Sequence, residues 1–180
     1  MMRKIKPYGL TRKELGIILK KTVPELVYVY DKAVPGMSLI GARPDYRCEE
    51  LSIILEMNGF HHYCSPQQLL CDDKKNKDWH INLGYRIVNI PYFVQMCDEL
   101  MSMITKGHAT KYEQKFRHGF IGKKIMLPSC FCERGVQRFK QDLETYSFAK
   151  EGIIQSLRDK VEERGHISLV LPPSLWYLLE

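Results

Sequence analysis

The sequence predicts an α/β fold in which helices flank a mixed central sheet, followed by a helical C-terminal extension. Residues 51–55 form an apolar run of the length of a buried strand, and a shorter strand is predicted just before it at 45–48. A helix predicted over 65–83 leads into a further strand at 85–90. Because a long helix carries the chain back across the sheet, we expect the strands on either side of it to be parallel.

A helix is also predicted near the start of the chain. Thr11 and Glu14 have the spacing of a capping box, and the apolar residues after them extend the helix over 12–21. The β-branched residues and tyrosines of segment 23–30 favour a strand, although its Pro-Glu pair would also open a short helix. A Pro-Gly turn then precedes a short strand at 38–40.

Two acidic residues lie where the two central strands meet. A tight hairpin between these strands brings Asp45 level with Glu56, and alternation of side chains puts Ile54, Glu56 and Asn58 on one face. Burying two carboxylates together is costly unless a bound cation offsets their repulsion and their loss of hydration. The pattern therefore predicts a cation site at this point of the sheet.

The dipeptide Asn58-Gly59 leaves an alternative open for the end of the central strand. Asn-Gly is a strong hairpin signal, and on this interpretation residues 60–64 return as another strand. The two interpretations are compatible, because such a turn would direct His62 back toward Glu56.

The helix that follows is predicted to cover the sheet. Ser65 is its expected N-cap, proline occupies the first helical position, and Gly84 ends it. The residues predicted to face the sheet are Leu69, Asn76, Trp79 or His80, and Leu83. Those predicted to form its charged outer face are Asp72, Lys74, Lys75, Lys77 and Asp78.

The remaining elements complete the fold. They are a helix from Pro91 to residue 104, helices over 132–146 and 148–164, a strand at 167–171 and a terminal turn at 173–180. We expect residues 1–105 to form the core domain, with residues 106–180 packed on it as an extension of helices and one strand. The extension either shapes the choice of substrate or mediates homodimerisation.

The motif around the central strand resembles a known nuclease signature. Pro44-Asp45 followed by Glu56-Met57-Asn58 resembles the PD-(D/E)xK motif of restriction-type nucleases, with asparagine in place of the usual lysine. The segment from Glu56 to His62 is also similar to E-x-(D/N)-G-x-x-H, the pattern of small Vsr-like endonuclease domains and of the RAP domain. The resemblance covers residues 40–95 and implies a restriction-endonuclease-like core.

This resemblance implies a metal-dependent endonuclease that hydrolyses phosphodiester bonds, with DNA as the expected substrate. Asp45, Glu56 and the main-chain carbonyl of Met57 are the implied ligands of Mg²⁺ or Mn²⁺. Asn58 takes the position of the family's catalytic lysine but cannot accept a proton at neutral pH. His62 matches the histidine of the longer pattern, and imidazole is suited to take the proton from water instead. Restriction, repair nicking, mobile-element and defence roles all fit this activity.

Several neighbouring residues are candidates for supporting roles. His61 would serve as the base if the alignment with the family pattern shifted by one residue. By the same resemblance, Gln68 or Asp73 would support the site from the next helix, and Glu14 or Glu25 would add an acid near the first helix. Each of these residues also has an ordinary structural explanation, such as helix capping or solvated surface charge.

The composition indicates an intracellular globular protein with an acidic partner. Of the 180 residues, 44% are apolar and 27% are charged, and no apolar run is long enough to span a membrane. The six cysteines lack the spacing of a disulfide framework, so we expect reduced thiols and a cytoplasmic location. The net charge of +6 and a basic segment at 106–124 with interleaved aromatic residues favour nucleic acid as the partner.

Three alternatives remain open. A catalytically inactive RAP-like module would bind nucleic acid without cutting it, because the lysine of the motif is replaced. A protein-interaction domain would use the acids and the Asn-Gly turn only structurally. A zinc site would draw on His61, His62, Cys64, Cys71 and the pair Cys130 and Cys132. The sequence contains no motif of a nucleotide-binding loop, a zinc protease or a serine hydrolase.

Overall fold

The computed structural model describes residues 11–39, 41–112 and 128–180. Within them the chain forms an α/β fold with one open, mixed sheet of four strands and helices packed around it. In chain order the elements are α1 (Arg12–Thr22), β1 (Val29–Tyr30), β2 (Tyr46–Cys48), β3 (Ile53–Asn58), α2 (His61–Cys64), α3 (Pro66–Lys77), a π-helical turn (Asp78–Asn82), β4 (Arg86–Pro91), α4 (Asp98–Thr105), α5 (Glu133–Thr145) and α6 (Ser147–Arg164). Short 3₁₀ turns span Pro128–Cys130, Ile167–Leu169 and Pro173–Leu178.

The strands lie in the order β1-β2-β3-β4, so that neighbours in sequence are neighbours in the sheet. β2 and β3 form an antiparallel hairpin in which Tyr46 pairs with Leu55. Continuing this register by one residue places Asp45 opposite Glu56. β3 and β4 are parallel, because α3 carries the chain back between them. The predicted hairpin and the predicted parallel pair are confirmed.

The two faces of β3 contact different parts of the molecule. Ile53 and Leu55 are fully buried in the main hydrophobic core, to which α1, α4, α5 and α6 contribute. Ile54 points to the other face and packs with Val34 and Trp79 in a smaller cluster. Glu56 and Asn58 share the face of Ile54 by alternation, so the acid lies on the side of the sheet that α3 covers.

The capping signals in the sequence place the ends of the helices. Thr11 and Glu14 form the capping box in both directions, and α1 begins directly after Thr11. Ser65 caps α3, which has proline at its start. Gly165 ends α6 in the left-handed conformation, with φ of 84°. The structure confirms the helices predicted over 12–21, 65–83, 132–146 and 148–164. In the second of them, a π-helical turn forms the last part.

Two predictions next to the central strand are wrong. The alternative of a returning strand over 60–64 does not hold, because His61–Cys64 form helix α2, which buries Tyr63 fully among aromatic rings of the core. Pro91 does not begin a helix. It continues the parallel ladder opposite Asn58, and the next helix starts only at Asp98.

Strand predictions farther from the centre are also corrected. The predicted strand at 38–40 is a bend at its first two residues, where Asp78 accepts the N–H and the hydroxyl of Ser38 at 3.2 and 2.7 Å; its third residue lies outside the described part. The predicted strand at 167–171 is instead a 3₁₀ turn over Ile167–Leu169, followed by the buried side chains of Val170 and Leu171. In the ambiguous N-terminal segment, only Val29–Tyr30 is a strand.

The C-terminal helices share the main core with the sheet. Phe139 and Leu143 of α5 and Ile153 and Leu157 of α6 are buried in the same cluster as the apolar side chains of β3. The described residues predicted as an extension therefore pack directly on the sheet's own core. None of the helices in the described part of the chain combines the length and the apolar content needed to cross a membrane.

Helix α5 approaches α2 closely at Gly135. A Cβ atom at this position would lie 1.7 Å from the main-chain carbonyl oxygen of Tyr63, which leaves room only for glycine. The same carbonyl accepts the N–H of Cys132 at 3.1 Å, just before α5 begins. These contacts hold the start of α5 against the backbone of α2.

Gly135→Ala is expected to lower the free energy of unfolding by about 1–3 kcal/mol, because the backbone of α2 must move to admit the methyl group. Gly152→Ala is the matched control. It also lies inside a helix, but nothing is within 4 Å of its Cβ position, and alanine should add about 0.5–1 kcal/mol of stability there. Urea unfolding measures both variants. A Gly135→Ala protein as stable as the wild type would contradict the close approach of α5 to α2.

Candidate functional site

Asp45 and Glu56 lie side by side where β2 and β3 meet. Glu56 Oε1 accepts the main-chain N–H of Asp45 at 3.3 Å, and Asp45 Oδ2 accepts the N–H of Met57 at 2.7 Å. The hairpin register explains these contacts, because it sets the two acids opposite each other. Both residues are buried, with 5% and 6% of their surface exposed. The structure thus brings together the two acids that the sequence singles out.

Each of the two carboxylates is paired with a cation from a helix. Arg12 Nε, at the start of α1, is 2.7 Å from Asp45 Oδ1. Lys75 Nζ, on α3, is 3.1 Å from Glu56 Oε2. The Arg12 side chain is 59% exposed, whereas Lys75 is mostly buried. Two helices that are distant in sequence therefore supply the positive charge at this point of the sheet.

Burial raises the pKa of both acids. For Asp45, the loss of hydration outweighs the hydrogen bond from the Met57 N–H and the charge of Arg12, which lower the pKa. For Glu56, the loss of hydration is again the largest cause, Lys75 lowers the pKa and the Asp45 carboxylate raises it. Arg12 and Lys75 therefore compensate the ionised forms of these acids only in part, and a bound cation would add to that compensation.

The donor atoms at this point suit a hard divalent cation. The Met57 carbonyl points to the same strand edge as the Met57 N–H, which bonds Asp45, so it can join the two carboxylates as an oxygen ligand. A carboxylate accepts several bonds, so the contacts to Arg12 and Lys75 leave lone pairs for an ion. Among the described residues, no three histidine, cysteine or acidic side chains are grouped so that they could hold a metal. A metal here would therefore depend on the Met57 carbonyl and on water.

A third carboxylate orients His62. Its ring Nδ1 lies 2.7 Å from Asp72 Oδ2, and because an ionised carboxylate only accepts, the proton lies on Nδ1. Gln68 Nε2 donates to the other Asp72 oxygen at 2.9 Å. Burial raises the pKa of Asp72, but hydrogen bonds from His62, Arg138 and Gln68 lower it to about 2. Asp72 is thus ionised at neutral pH although it is only 3% exposed.

A cavity of about 310 Å³ opens beside these residues. It is lined by Thr11, Arg12, Met57, Asn58, Gly59, His61, His62 and Tyr92. Asp45 and Glu56 are not among the lining residues, but Arg12 and Met57 bond Asp45 directly. A ligand in this cavity would therefore have both Arg12 and His62 within reach.

No protein-family model, no curated protein and no solved structure matches this chain. The cavity and its surroundings combine three features that bear on function. They are a buried pair of carboxylates, a histidine oriented by a third carboxylate, and cations contributed by surrounding helices.

The other residues predicted from the motif take more ordinary positions. The Asn58 side chain is buried, and its Nδ2 donates to Asn89 Oδ1 at 3.4 Å. His61 is exposed and packs against Phe60, with 3.9 Å between the ring centroids. His62 is accordingly the histidine of this pair that bonds a buried acid.

The candidates for supporting roles divide in the same way. Gln68 does bond within the site, through Asp72. Glu14 is used in the capping box of α1, Glu25 is exposed, and Asp73 pairs on the surface with Arg134 at 2.6 Å. None of the six cysteines, all of which lie within the described residues, forms a disulfide. Of the predicted basic segment 106–124, the part from residue 113 onward lies outside the described residues.

Four residues of the site are not among the site residues predicted from the sequence, namely Arg12, Asp72, Lys75 and Arg138. The assignment of Asp72, Lys75 and Asp78 to the outer face of α3 and its following turn is wrong, because both acids are buried and Lys75 bonds Glu56 on the sheet. A signal was present, since Asp72 follows the buried Leu69 by three positions and so lies on the same helix face. The two arginines have no such signal, because nothing local ties them to the acids.

Asp72→Asn is expected to remove stability that depends on pH. Because the pKa of Asp72 in the folded protein, about 2, lies below its ordinary value of 3.8, ionisation favours the fold. This contributes roughly 2 kcal/mol above about pH 4, which is lost as the pH falls toward about 2. Urea unfolding of wild type and variant should therefore differ most near neutral pH and converge in acid.

Asp73→Asn is the control, because it removes the adjacent carboxylate from a surface pair. Its free energy of unfolding should stay within about 0.5 kcal/mol of the wild type at every pH. A difference between wild type and Asp72→Asn that stayed constant into acid would show that Asp72 is not held in its ionised form by the fold.

Proposed function

We propose that this protein is a divalent-metal-dependent nuclease with a restriction-endonuclease-like core, and that it hydrolyses phosphodiester bonds in DNA. The observation that carries the proposal is the direct contact of Asp45 and Glu56, two buried acids beside a cavity lined by Arg12 and His62. The sequence of hairpin, crossover helix and parallel strand supports it, because this order resembles the core of restriction-type nucleases. The net charge of +6 suits a polyanionic substrate.

Asp45, Glu56 and the Met57 carbonyl would hold Mg²⁺ or Mn²⁺. Such an ion, when bound, lowers the pKa of coordinated water and neutralises charge on the phosphate. The two carboxylates favour it, because burial raises the pKa of both and a nearby cation offsets that effect.

His62 is the proposed general base. Asp72 holds its Nδ1–H, so that Nε2 of the neutral ring is left to take a proton from the attacking water. The ionised Asp72 would also stabilise the imidazolium that forms once the proton has moved. Asn58 lines the cavity but has no group that accepts a proton at neutral pH.

Lys75 and Arg12 bring positive charge that the motif's asparagine lacks. Lys75 reaches Glu56 from α3, so its ammonium takes the place of a lysine on the strand. Arg12 bonds Asp45 through Nε and also lines the cavity. A guanidinium held in this way is suited to bind a phosphate oxygen of the substrate.

A second candidate is a catalytically inactive module that binds nucleic acid. The pairing of both acids with Arg12 and Lys75 favours it, because carboxylates already neutralised by protein cations can be purely structural. In that case the acids would hold α1 and α3 on the sheet, and affinity would come from exposed basic residues.

A plasmid-cleavage assay with Mg²⁺, Mn²⁺ or EDTA tests the proposal. The wild type should cut only with metal. Asp45→Asn and Glu56→Gln should each lower the rate by at least about 100-fold, because each replaces a carboxylate ligand of the ion by a neutral amide of nearly the same volume. Glu49→Gln is the control, since Glu49 is an exposed acid of the same hairpin, paired with Arg47, and should cut like the wild type. Circular dichroism confirms that each variant is folded.

Cleavage that survives both amide substitutions, or that EDTA leaves unchanged, would refute a metal-dependent active site at Asp45 and Glu56. No cleavage of DNA or RNA, together with salt-sensitive nucleic-acid binding that both variants retain, would identify the binding module.

A further inference from the structure

Helix α5 contributes one partly buried side chain to the site from far along the chain. Arg138 lies 76 residues after His62, yet its Nη1 donates to the main-chain carbonyl of His62 at 2.9 Å. The same Nη1 donates to Asp72 Oδ2 at 2.7 Å, and this is the oxygen that bonds the ring of His62. A single guanidinium nitrogen therefore holds both the backbone of His62 and the carboxylate that orients its ring.

The contacts of Arg138 are shielded from solvent. Its side chain is 13% exposed and that of Asp72 is 4% exposed, and the guanidinium carbon lies 5.9 Å from the centre of the Tyr63 ring. Hydrogen bonds between charged groups are strong where water is excluded, and a buried carboxylate that loses its cation tends to become protonated. Without Arg138, Asp72 would lose one of the bonds that keep it ionised and in place beside His62.

A neighbouring ion pair allows a comparison between holding Asp72 in place and merely linking two helices. Arg134, one turn earlier on α5, bonds Asp73 of α3 at 2.6 Å. It joins the same two helices, but its side chain is 49% exposed and that of Asp73 is 56% exposed. Of these two arginine pairs, that of Arg138 includes the acid that bonds His62, and that of Arg134 does not. The two arginines therefore form a matched comparison within one helix.

We propose that Arg138 is a positioning residue of the site, which fixes His62 through Asp72 and through the His62 carbonyl. Helix α5 then contributes this residue to the catalytic machinery. Its close packing against α2 at Gly135 holds the guanidinium of Arg138 beside His62. The effect on cleavage rests on the proposed function, in which His62 is the general base. The effect on the orientation of the ring does not depend on it.

The test compares full-length wild type, Arg138→Gln and Arg134→Gln by two measurements. Long-range ¹H–¹⁵N NMR of the imidazoles, with His62 assigned from the spectrum of His62→Gln, reports which ring nitrogen carries the proton. The wild type and Arg134→Gln should both show the Nδ1–H form, because Asp72 accepts that proton. Arg138→Gln should show an average of the two forms. If Arg138 only added stability, its substitution would lower Tm and leave the spectrum of the folded protein unchanged.

Kinetics of metal-dependent DNA cleavage are the second measurement. Arg138→Gln should lower kcat by about 10- to 100-fold with little change in KM, because the base is misplaced while substrate binding is kept. Arg134→Gln should match the wild type in both constants. Wild-type kcat and a wild-type tautomer in Arg138→Gln would overturn the inference.

Two further outcomes keep the inference separate from folding and from the proposed function. If Arg138→Gln does not fold, Arg138→Lys replaces it. The lysine side chain is too short to bond both the His62 carbonyl oxygen and Asp72 Oδ2, so we expect a partial loss of kcat and a mixture of the two tautomers. Wild-type values of both would overturn the inference. If the wild type does not cleave at all, the proposed function fails, while the NMR comparison still decides whether Arg138 positions His62.

Discussion

Two buried carboxylates at the meeting point of β2 and β3 impose the constraint on which the rest of the site depends. The hairpin register forces Asp45 and Glu56 together, and two such groups cannot both ionise away from water without positive charge beside them. The protein meets this need with Arg12 from α1 and Lys75 from α3. The packing of these helices on the same end of the sheet is therefore tied to the acids they neutralise.

Further ion pairs connect the acid pair to Asp72 and Arg138 in one charged network. Lys75 Nζ also lies 3.9 Å from Asp72 Oδ1, so the acid pair and the carboxylate that orients His62 share a cation. Arg138 closes the network from α5. Three carboxylates then face three cations, Arg12, Lys75 and Arg138. Arg12 is the cation that can leave at least cost, because it is already the one most exposed to water.

Local sequence signals predicted much of the fold and failed in identifiable places. Capping residues such as Thr11 and Ser65 located helices because a cap acts only on its own first turn. The Asn58-Gly59 signal failed, because burial of Tyr63 against the core favours helix α2 over a returning strand. Asp72 was misplaced because a charged residue is usually assigned to solvent, although its spacing put it on the buried face of α3.

The sequence by itself determined the alternation along β3 and the meeting of Asp45 with Glu56. Each of these follows from periodicity or turn geometry within a short stretch of chain. Only the tertiary structure decided which cations neutralise the acids and that Asp72 and Arg138 hold the histidine. The physical reason is that a buried charge can be compensated by any element that packs against it, and no local period in the sequence encodes which helix that will be.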